Sequence, residues 1–367
     1  TWNMLHSARH LVDTGGIYQL SADGPWKLVV GGPEVVFPPR ALRTHRFAEK
    51  DLPTLEAAYA AATRVARQAA ALASRGGDGA RVEGIDLSQT ASPEDFRTLL
   101  RALGEYGVLC FPKQDLEAPQ VAAFGKRFGD LEVNVANLFH APGHPEVMIL
   151  SNMKDEAGKP LGLNDAGQGW HTDMSYRDTM GFVNVLNAHK VPHRDGKPLG
   201  NTVFANMHAA YETLDPALKE KLANATATHD FNKFWDNMCK RPGSTRPPLT
   251  AEQRAKRPPS VHPVFMTHPI TGRKVLYCNP GYAIRINELS EAESDAVLET
   301  LFAHQLEARF LHTHVWTVGD VLIWDNIGTL HNALPDYGPN EHRLMKRCQV
   351  MADRVFQTDF IQRALAA

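Results

Sequence analysis

Two short segments far apart in the chain carry the side chains that most constrain its fold. Gly169-Trp170-His171-Thr172-Asp173-Met174-Ser175 places an imidazole and a carboxylate two residues apart. On a β-strand, residues i and i+2 share a face, so a strand here aims both groups at one point. A metal ion at that point needs a third ligand from elsewhere. The strongest candidate is His331, at the end of Trp324-Asp325-Asn326-Ile327-Gly328-Thr329-Leu330-His331. A His-x-Asp alone is weak evidence in a chain with 17 His, so the residues around both halves must carry the argument.

The 367 residues suffice for a large core domain plus an extension. With 39 basic against 41 acidic residues the formal net charge is -2. No global field attracts nucleic acid or a membrane surface, and any anion must be held by a local cluster. The scattered Cys110, Cys239, Cys278 and Cys348 include no Cys-x-x-Cys, which fits a reducing cytoplasm. Cys110 and Cys278 sit in strand-like runs and read as core residues. No apolar run is long enough to span a bilayer.

Residues 1–80 read as an N-terminal extension. It holds a short strand around Trp26-Lys27-Leu28-Val29-Val30 and an Ala-rich helix over 54–73 that ends at Ser74-Arg75-Gly76-Gly77-Asp78-Gly79. From 81 to 356 the pattern is that of one domain, followed by a tail at 357–367. Val82-Glu83-Gly84-Ile85-Asp86-Leu87 reads as a strand. Ser92-Pro93-Glu94-Asp95 caps a helix running to about Tyr106, Val108 to Phe111 is a buried strand, and Ala118 to Phe128 an amphipathic helix. Residues 151–169 and the Pro-rich stretch 240–260 read as loops that could act as lids over a site. After 260, strands at Val261–Met266, Lys274–Cys278, Val321–Trp324 and Arg347–Met351 surround a helix that opens at Ser290-Glu291-Ala292-Glu293. Many short strands with turns between them suggest a sandwich or barrel core, and the helices make it mixed.

Two His and one carboxylate on one face of an octahedral ion leave three open positions, the geometry of non-haem Fe(II) oxygenases. Such a site needs an electron-donating co-substrate. 2-Oxoglutarate can chelate the iron at one end, and its remote carboxylate then needs a cation and a hydroxyl in a dry pocket. Arginine suits that role because its fork matches a carboxylate. In Arg343-Leu344-Met345-Lys346-Arg347 the even spacing puts both arginines on one face of a strand. One could hold 2-oxoglutarate and the other a second anion. Thr202, in Gly200-Asn201-Thr202-Val203-Phe204, supplies a hydroxyl. His312-x-His314 is a second pair with metal-ligand spacing, but no carboxylate-bearing motif accompanies it.

Several of these segments together resemble the taurine and aryloxyalkanoate dioxygenases, the TauD/TfdA family of Fe(II)/2-oxoglutarate enzymes. Trp170-His171-Thr172-Asp173 resembles the family's proximal metal motif, and Trp324-Asp325-Asn326 with His331 its distal one. Phe124-Gly125-Lys126-Arg127-Phe128-Gly129, Ala209-Ala210-Tyr211-Glu212, His229-Asp230-Phe231 and His262-Pro263-Val264 through Thr267-His268-Pro269 are similar too, in the right order, over about Arg81 to Phe356. The resemblance implies a mixed, mainly β fold: a double-stranded β-helix (a cupin-like jelly roll) with flanking helices. It implies His171, Asp173 and His331 as the iron ligands and catalytic centre, Thr202 and Arg343 on the C5 carboxylate of 2-oxoglutarate, and Arg347 on the substrate's anion. Phe231 and Tyr282 either line the substrate pocket or pack in the core. The segment before Thr202 is longer than usual in the family, and Gly167 and Gly169 replace polar side chains of the taurine enzyme.

The expected activity is hydroxylation of an unactivated C–H in a small or medium organic anion (a sulfonate, sulfate ester or carboxylate), with C–S or C–O cleavage where the product is unstable. Fe(II), 2-oxoglutarate and O2 are consumed or held, and succinate and CO2 released. The alternatives are hydroxylation or desaturation of a larger biosynthetic intermediate, and a zinc hydrolase on the same ligands. The expected protein is a cytoplasmic homo-oligomer, a dimer or tetramer, acting on a small molecule without nucleic-acid or membrane partners.

Overall fold

A computed structural model of the chain describes residues 79–90, 92–133, 139–241, 246–357 and 359–361, together with the backbone of three strands nearer the N-terminus. The chain separates into two units, Thr1–Gly76 with Ala80–Ile85, and Gly77–Gly79 with Asp86–Ala367. The first holds an antiparallel meander of Gly16–Gln19, Trp26–Val29 and Val35–Phe37, so the expected strand at Trp26 is present. The expected helix over 54–73 lies outside the described residues. The strand expected at Val82–Leu87 is instead a short one at Ala80–Arg81. Gly84, at φ +77°, takes the following backbone out of the extended region.

The second unit is built on two antiparallel sheets. In the larger, Val108–Phe111 pairs with Val321–Asp325, Val321–Asp325 with Gly181–Lys190, Gly181–Lys190 with Leu344–Met351, and Leu344–Met351 with His144–Ser151. The smaller places Thr202–Asn206 between Leu311–His314 and Thr329–Ala333. This is the jelly-roll core that the family resemblance implied, and a refinement of the sandwich or barrel that the strand-and-turn pattern suggested. A dry layer that includes Leu150, Leu186, Phe204, Trp316, Leu322, Trp324 and Met345 fills it. Phe204 and Trp324 meet edge to face at 5.6 Å.

The Gly181–Lys190 strand is central in its sheet, and its first eight residues are buried on both faces. One face looks into the core and the other onto helices. The helix Pro93–Tyr106 starts as its sequence dictates: the Ser92 hydroxyl accepts from the Asp95 N–H, Pro93 sits in the first turn, and Glu94 and Asp95 oppose the dipole. The helix Ala118–Gly125 adds Phe124 to an aromatic chain of Phe96, Phe128, Phe111 and Phe182 behind the sheet. The later helix spans Glu291–Gln305, but Ser290 makes no side-chain cap bond there. Cys278 is buried as expected, whereas Cys110 is only half-buried, near an edge of the core rather than inside it.

Candidate active site

The His-x-Asp pair does not ride on a continuous strand. His171 forms an isolated antiparallel bridge with His331, and the chain turns immediately afterwards, with Met174 at φ +58°. The expected convergence is achieved by different means. The His171 N–H donates to the His331 carbonyl at 3.1 Å, and the His331 N–H donates back at 2.8 Å. Backbone hydrogen bonds thus lock the two histidines side by side, and their rings lie 4.2 Å apart.

Asp173 completes the cluster. One carboxylate oxygen is 3.3 Å from His171 Nε2, and the other is 3.8 Å from His331 Nε2. One ligand atom from each of the three residues lies within 4.8 Å of the others, and all three residues are buried. The turn carrying Asp173 is fixed from outside. The Thr172 hydroxyl donates to the Asn326 carbonyl, and the Asp173 N–H donates to Asn326 Oδ1 at 3.3 Å. Asn184 Nδ2 donates to Asp173 Oδ2. Gly281 approaches so closely that a Cβ there would lie 2.6 Å from His171 Cβ.

Protonation suits a cation. His171 Nδ1 is 2.6 Å from the Gly169 carbonyl, which only accepts, so Nδ1 carries the proton and Nε2 presents its lone pair. Gly169 adopts φ +85°, a conformation that places this carbonyl and that a side chain would strain. Burial, with His171 adding to it, pushes His331 down to about 3, so its ring is neutral. Burial works to raise the Asp173 carboxyl, but the nearby His171, His331 and Arg347 outweigh it and hold the group well below its usual range. Two imidazoles and one carboxylate, all buried, form a donor set that fits a divalent cation such as Fe(II).

The arginines stand where the even spacing puts them, on one face of the Leu344–Met351 strand and its approach. Arg343 is 5% and Arg347 9% exposed. Arg347 Nη1 is 3.8 Å from Asp173 Oδ2, and Nη2 reaches Gln349 Oε1 at 3.2 Å. Burial lowers Arg343, and the Tyr337 hydroxyl is its side-chain partner. No carboxylate among the described residues ion-pairs with Arg343, and its buried Nε is unpartnered. Thr202 is buried, and its hydroxyl accepts from Trp316 Nε1 at 3.1 Å. Gly200, at φ +67°, leaves room for the Arg343 stem and the Tyr337 ring, both of which a Cβ would crowd.

Tyr282 meets the His171 ring at 6.1 Å, and Phe234 meets it at 5.2 Å. Phe231 is one ring further out, edge to face with Tyr176 at 4.9 Å and covered by Arg257. The two loops read as lids touch each other beside the metal motif: Arg246 makes a two-point bond to Asp165, and Arg241 bonds Gln168.

Sequence reasoning missed Asn184, Phe234, Tyr337, the bonds that Asn326 makes to Thr172 and Asp173, and Trp316's bond to Thr202. Asn184 left a signal, since a polar residue inside Phe182-Val183-Asn184-Val185-Leu186 needs a partner when buried. The others depend on contacts between distant segments.

A buried two-histidine, one-carboxylate cluster inside a jelly roll, with a buried arginine beside its carboxylate, has the make-up of a non-haem oxygenase centre. Comparison with known proteins agrees. Residues 69–349 match the model described as taurine catabolism dioxygenase TauD, TfdA family. Pentalenolactone F synthase of Streptomyces avermitilis is 31% identical over 285 residues, covering 75% of this chain and 91% of that one. The alpha-ketoglutarate-dependent 2,4-dichlorophenoxyacetate dioxygenase of Cupriavidus pinatubonensis is 30% identical, covering 75% and 95%. Among solved structures, AAD-2 in complex with Mn(II) and N-oxalylglycine superposes with a TM-score of 0.61 at 27% identity, covering 74% and 93%. A taurine dioxygenase from Burkholderia xenovorans gives 0.60 at 28%, covering 76% and 88%. The chain belongs to the TauD/TfdA family. These are alpha-ketoglutarate (2-oxoglutarate)-dependent dioxygenases, oxidoreductases that use Fe(II), 2-oxoglutarate and O2. Among the described residues no helix is long and apolar enough to cross a membrane.

Proposed function

We propose that His171, Asp173 and His331 hold Fe(II), that Thr202 and Arg343 bind the C5 carboxylate of 2-oxoglutarate, and that Arg347 receives an anionic group of the organic substrate. The observation that carries this is the placement of two buried guanidiniums on one face, one of them 3.8 Å from the carboxylate of the cluster. Bound Fe(II), with 2-oxoglutarate and O2, supplies the oxidising chemistry that hydroxylates a C–H bond and releases succinate and CO2.

The protein's own part is positioning. The His171–His331 bridge and the Asn184 and Asn326 bonds fix the three ligands before any cation arrives, so little ordering is left to bind it. Arg343 presents buried donors to a carboxylate in a dry pocket, where a charge-assisted bond is strong. Arg347, next to Asp173, brings the substrate's anionic end close to the cluster. Tyr282 and Phe234, with Phe231 behind them, supply an aromatic wall for the substrate's body and keep water from the reacting carbon. Burial raises the Tyr282 hydroxyl well above its usual range, so it stays neutral.

Two substrate readings follow from the same site. A small sulfonate, sulfate ester or carboxylate needs chiefly Arg347. A larger biosynthetic intermediate uses the aromatic wall, a reading supported by the similarity to pentalenolactone F synthase. Succinate release measured against a panel of both kinds separates them. In Arg347→Gln, KM for an anionic substrate rises on the order of 100-fold while KM for 2-oxoglutarate stays within a fewfold. An unchanged substrate KM overturns the role given to Arg347.

We also propose a catalytic domain over 81–356, a reading supported by the family match over 69–349. Residues 1–80 then form an appended segment and 357–367 a tail. A homo-oligomer, dimer or tetramer, in the cytoplasm is proposed with it; the buried thiols of Cys278 and Cys348 suit a reducing compartment. Light scattering of the purified chain reads the oligomeric state.

A further inference from the structure

Away from the His171 cluster, three potential ligands converge, two from one turn and one from a distant strand. Sγ of Cys110, a ring nitrogen of His314 and a carboxylate oxygen of Asp320 lie within 4.8 Å of one another. Cys110 belongs to the Val108–Phe111 strand of the larger sheet, opposite Leu322. His314 ends the Leu311–His314 strand of the smaller sheet, opposite Thr202. Asp320 immediately precedes the Val321–Asp325 strand. This cluster supplies the carboxylate that the His312-x-His314 pair lacked in sequence, because the turn after Trp316 folds Asp320 back onto it.

The geometry of the His–Asp pair departs from a hydrogen bond. His314 Nε2 stands 3.3 Å from Asp320 Oδ2, and this buried nitrogen has no hydrogen-bond partner. Elsewhere in the same domain the pair His268–Asp325 closes to 2.7 Å and does form a bond. The wider spacing equals the 3.3 Å between His171 Nε2 and Asp173 Oδ1. Two ligands held by a tetrahedral ion at about 2.0–2.1 Å are separated by about 3.3–3.4 Å. Asp320 is 4% exposed and firmly placed: its Oδ2 accepts from the Thr317 N–H at 2.8 Å, and its carbonyl accepts from the Ala188 N–H. The carboxylate is thus held rigidly against the His314 ring as a potential ligand. His314 is only half-buried, which leaves a path inward from solvent.

We propose that Cys110, His314 and Asp320 form a second metal site, selective for a thiophilic divalent ion of the Zn(II) type. Thiolate, imidazole and carboxylate in a tetrahedral set are a zinc donor set, with water in the fourth position. Binding forms a metal–sulfur bond and releases the thiol proton to solvent. The ion's work is structural. It joins a strand of the larger sheet to a strand of the smaller one, beside the wall that carries Thr202. The His314 ring stands edge-on to Trp316 at 4.6 Å, and Trp316 donates to the Thr202 hydroxyl. The staple therefore bears on the 2-oxoglutarate pocket through one aromatic ring.

Co(II) titration of the chelator-stripped full chain tests this. Co(II) also enters the His171 cluster, but that cluster has no sulfur. A near-ultraviolet thiolate-to-Co(II) charge-transfer band reports the Cys110 site alone. The band is expected to saturate at one equivalent per chain and to be displaced by Zn(II). It is expected to vanish in Cys110→Ser, to persist in Cys239→Ser and Asp173→Ala, and to need at least tenfold more Co(II) in Asp320→Asn. Its persistence in Asp173→Ala separates this site from the proposed catalytic one. No band at saturating Co(II) in the wild-type chain overturns the proposal, as does a band that survives Cys110→Ser. If Cys110→Ser does not fold by circular dichroism, His314→Gln takes its place, and an unshifted band of unchanged affinity there is equally fatal.

Discussion

Replacing Arg343 by Met separates a binding arginine from a structural one, because the two roles predict opposite signs. Arg343 is 5% exposed, lies beside the Tyr337 hydroxyl and has no ion-pairing carboxylate among the described residues. A buried cation kept in that state is a cost to folding, and an unpartnered buried donor such as its Nε costs about 1–3 kcal/mol. Met keeps most of the stem's volume and removes both costs. The stability of the free protein is therefore expected to be unchanged or to rise by about 1 kcal/mol, which is an unchanged Tm or one higher by about 2–4 °C. Binding is expected to move the other way. Removing one partner of a buried charge pair costs about 3–5 kcal/mol, so affinity for 2-oxoglutarate falls at least on the order of 100-fold. The assay is thermal unfolding with and without 2-oxoglutarate, together with KM for 2-oxoglutarate from succinate release. A lower Tm in the free protein with an unchanged KM refutes the reasoning and makes Arg343 a scaffold residue.

Asn184→Ala removes the bond to Asp173 Oδ2 and is expected to weaken Fe(II) binding about 10–100-fold while leaving the fold intact, as read by anaerobic titration. Stability is also expected to fall in mild acid. Burial depresses His208 to about 4 and His229 to about 3, against about 6.5 in the unfolded chain. The unfolded state therefore binds more protons than the folded one below pH 6.5. The contribution of these neutral rings is complete above that pH and is lost as pH falls toward 4 and then 3. Urea unfolding across this window checks the slope, and a stability independent of pH between 6.5 and 4 contradicts it.

The chemistry of the site was more legible in the sequence than its mechanics. His171, Asp173, His331, Arg343, Arg347 and Thr202 stand in segments whose residue types already fit one reaction; the structure clusters His171, Asp173 and His331, with Arg347 beside Asp173, and buries Arg343 and Thr202. The means of gathering them was not legible. A strand was expected to aim His171 and Asp173 together, but a two-residue bridge to His331 and a turn after Thr172 do so. Period-2 alternation cannot reveal such a device, because the backbone bonds that make it join residues far apart in sequence. The strand expected at Val82–Leu87 failed for a local reason: Gly84 breaks a run that looked apolar enough. Cys110 read as core because its neighbours are apolar. Only the fold shows that its strand leads to the edge where His314 and Asp320 meet it.

The central claim, that this cluster binds Fe(II) together with 2-oxoglutarate, is tested most directly by the visible spectrum of the metal-free protein under anaerobic addition of both. A weak metal-to-ligand charge-transfer band is predicted that requires both components. It should be absent in Asp173→Ala and reduced in Arg343→Met at the same 2-oxoglutarate concentration. A spectrum without that band, under conditions where equilibrium dialysis shows Fe(II) bound at the cluster, would contradict the account.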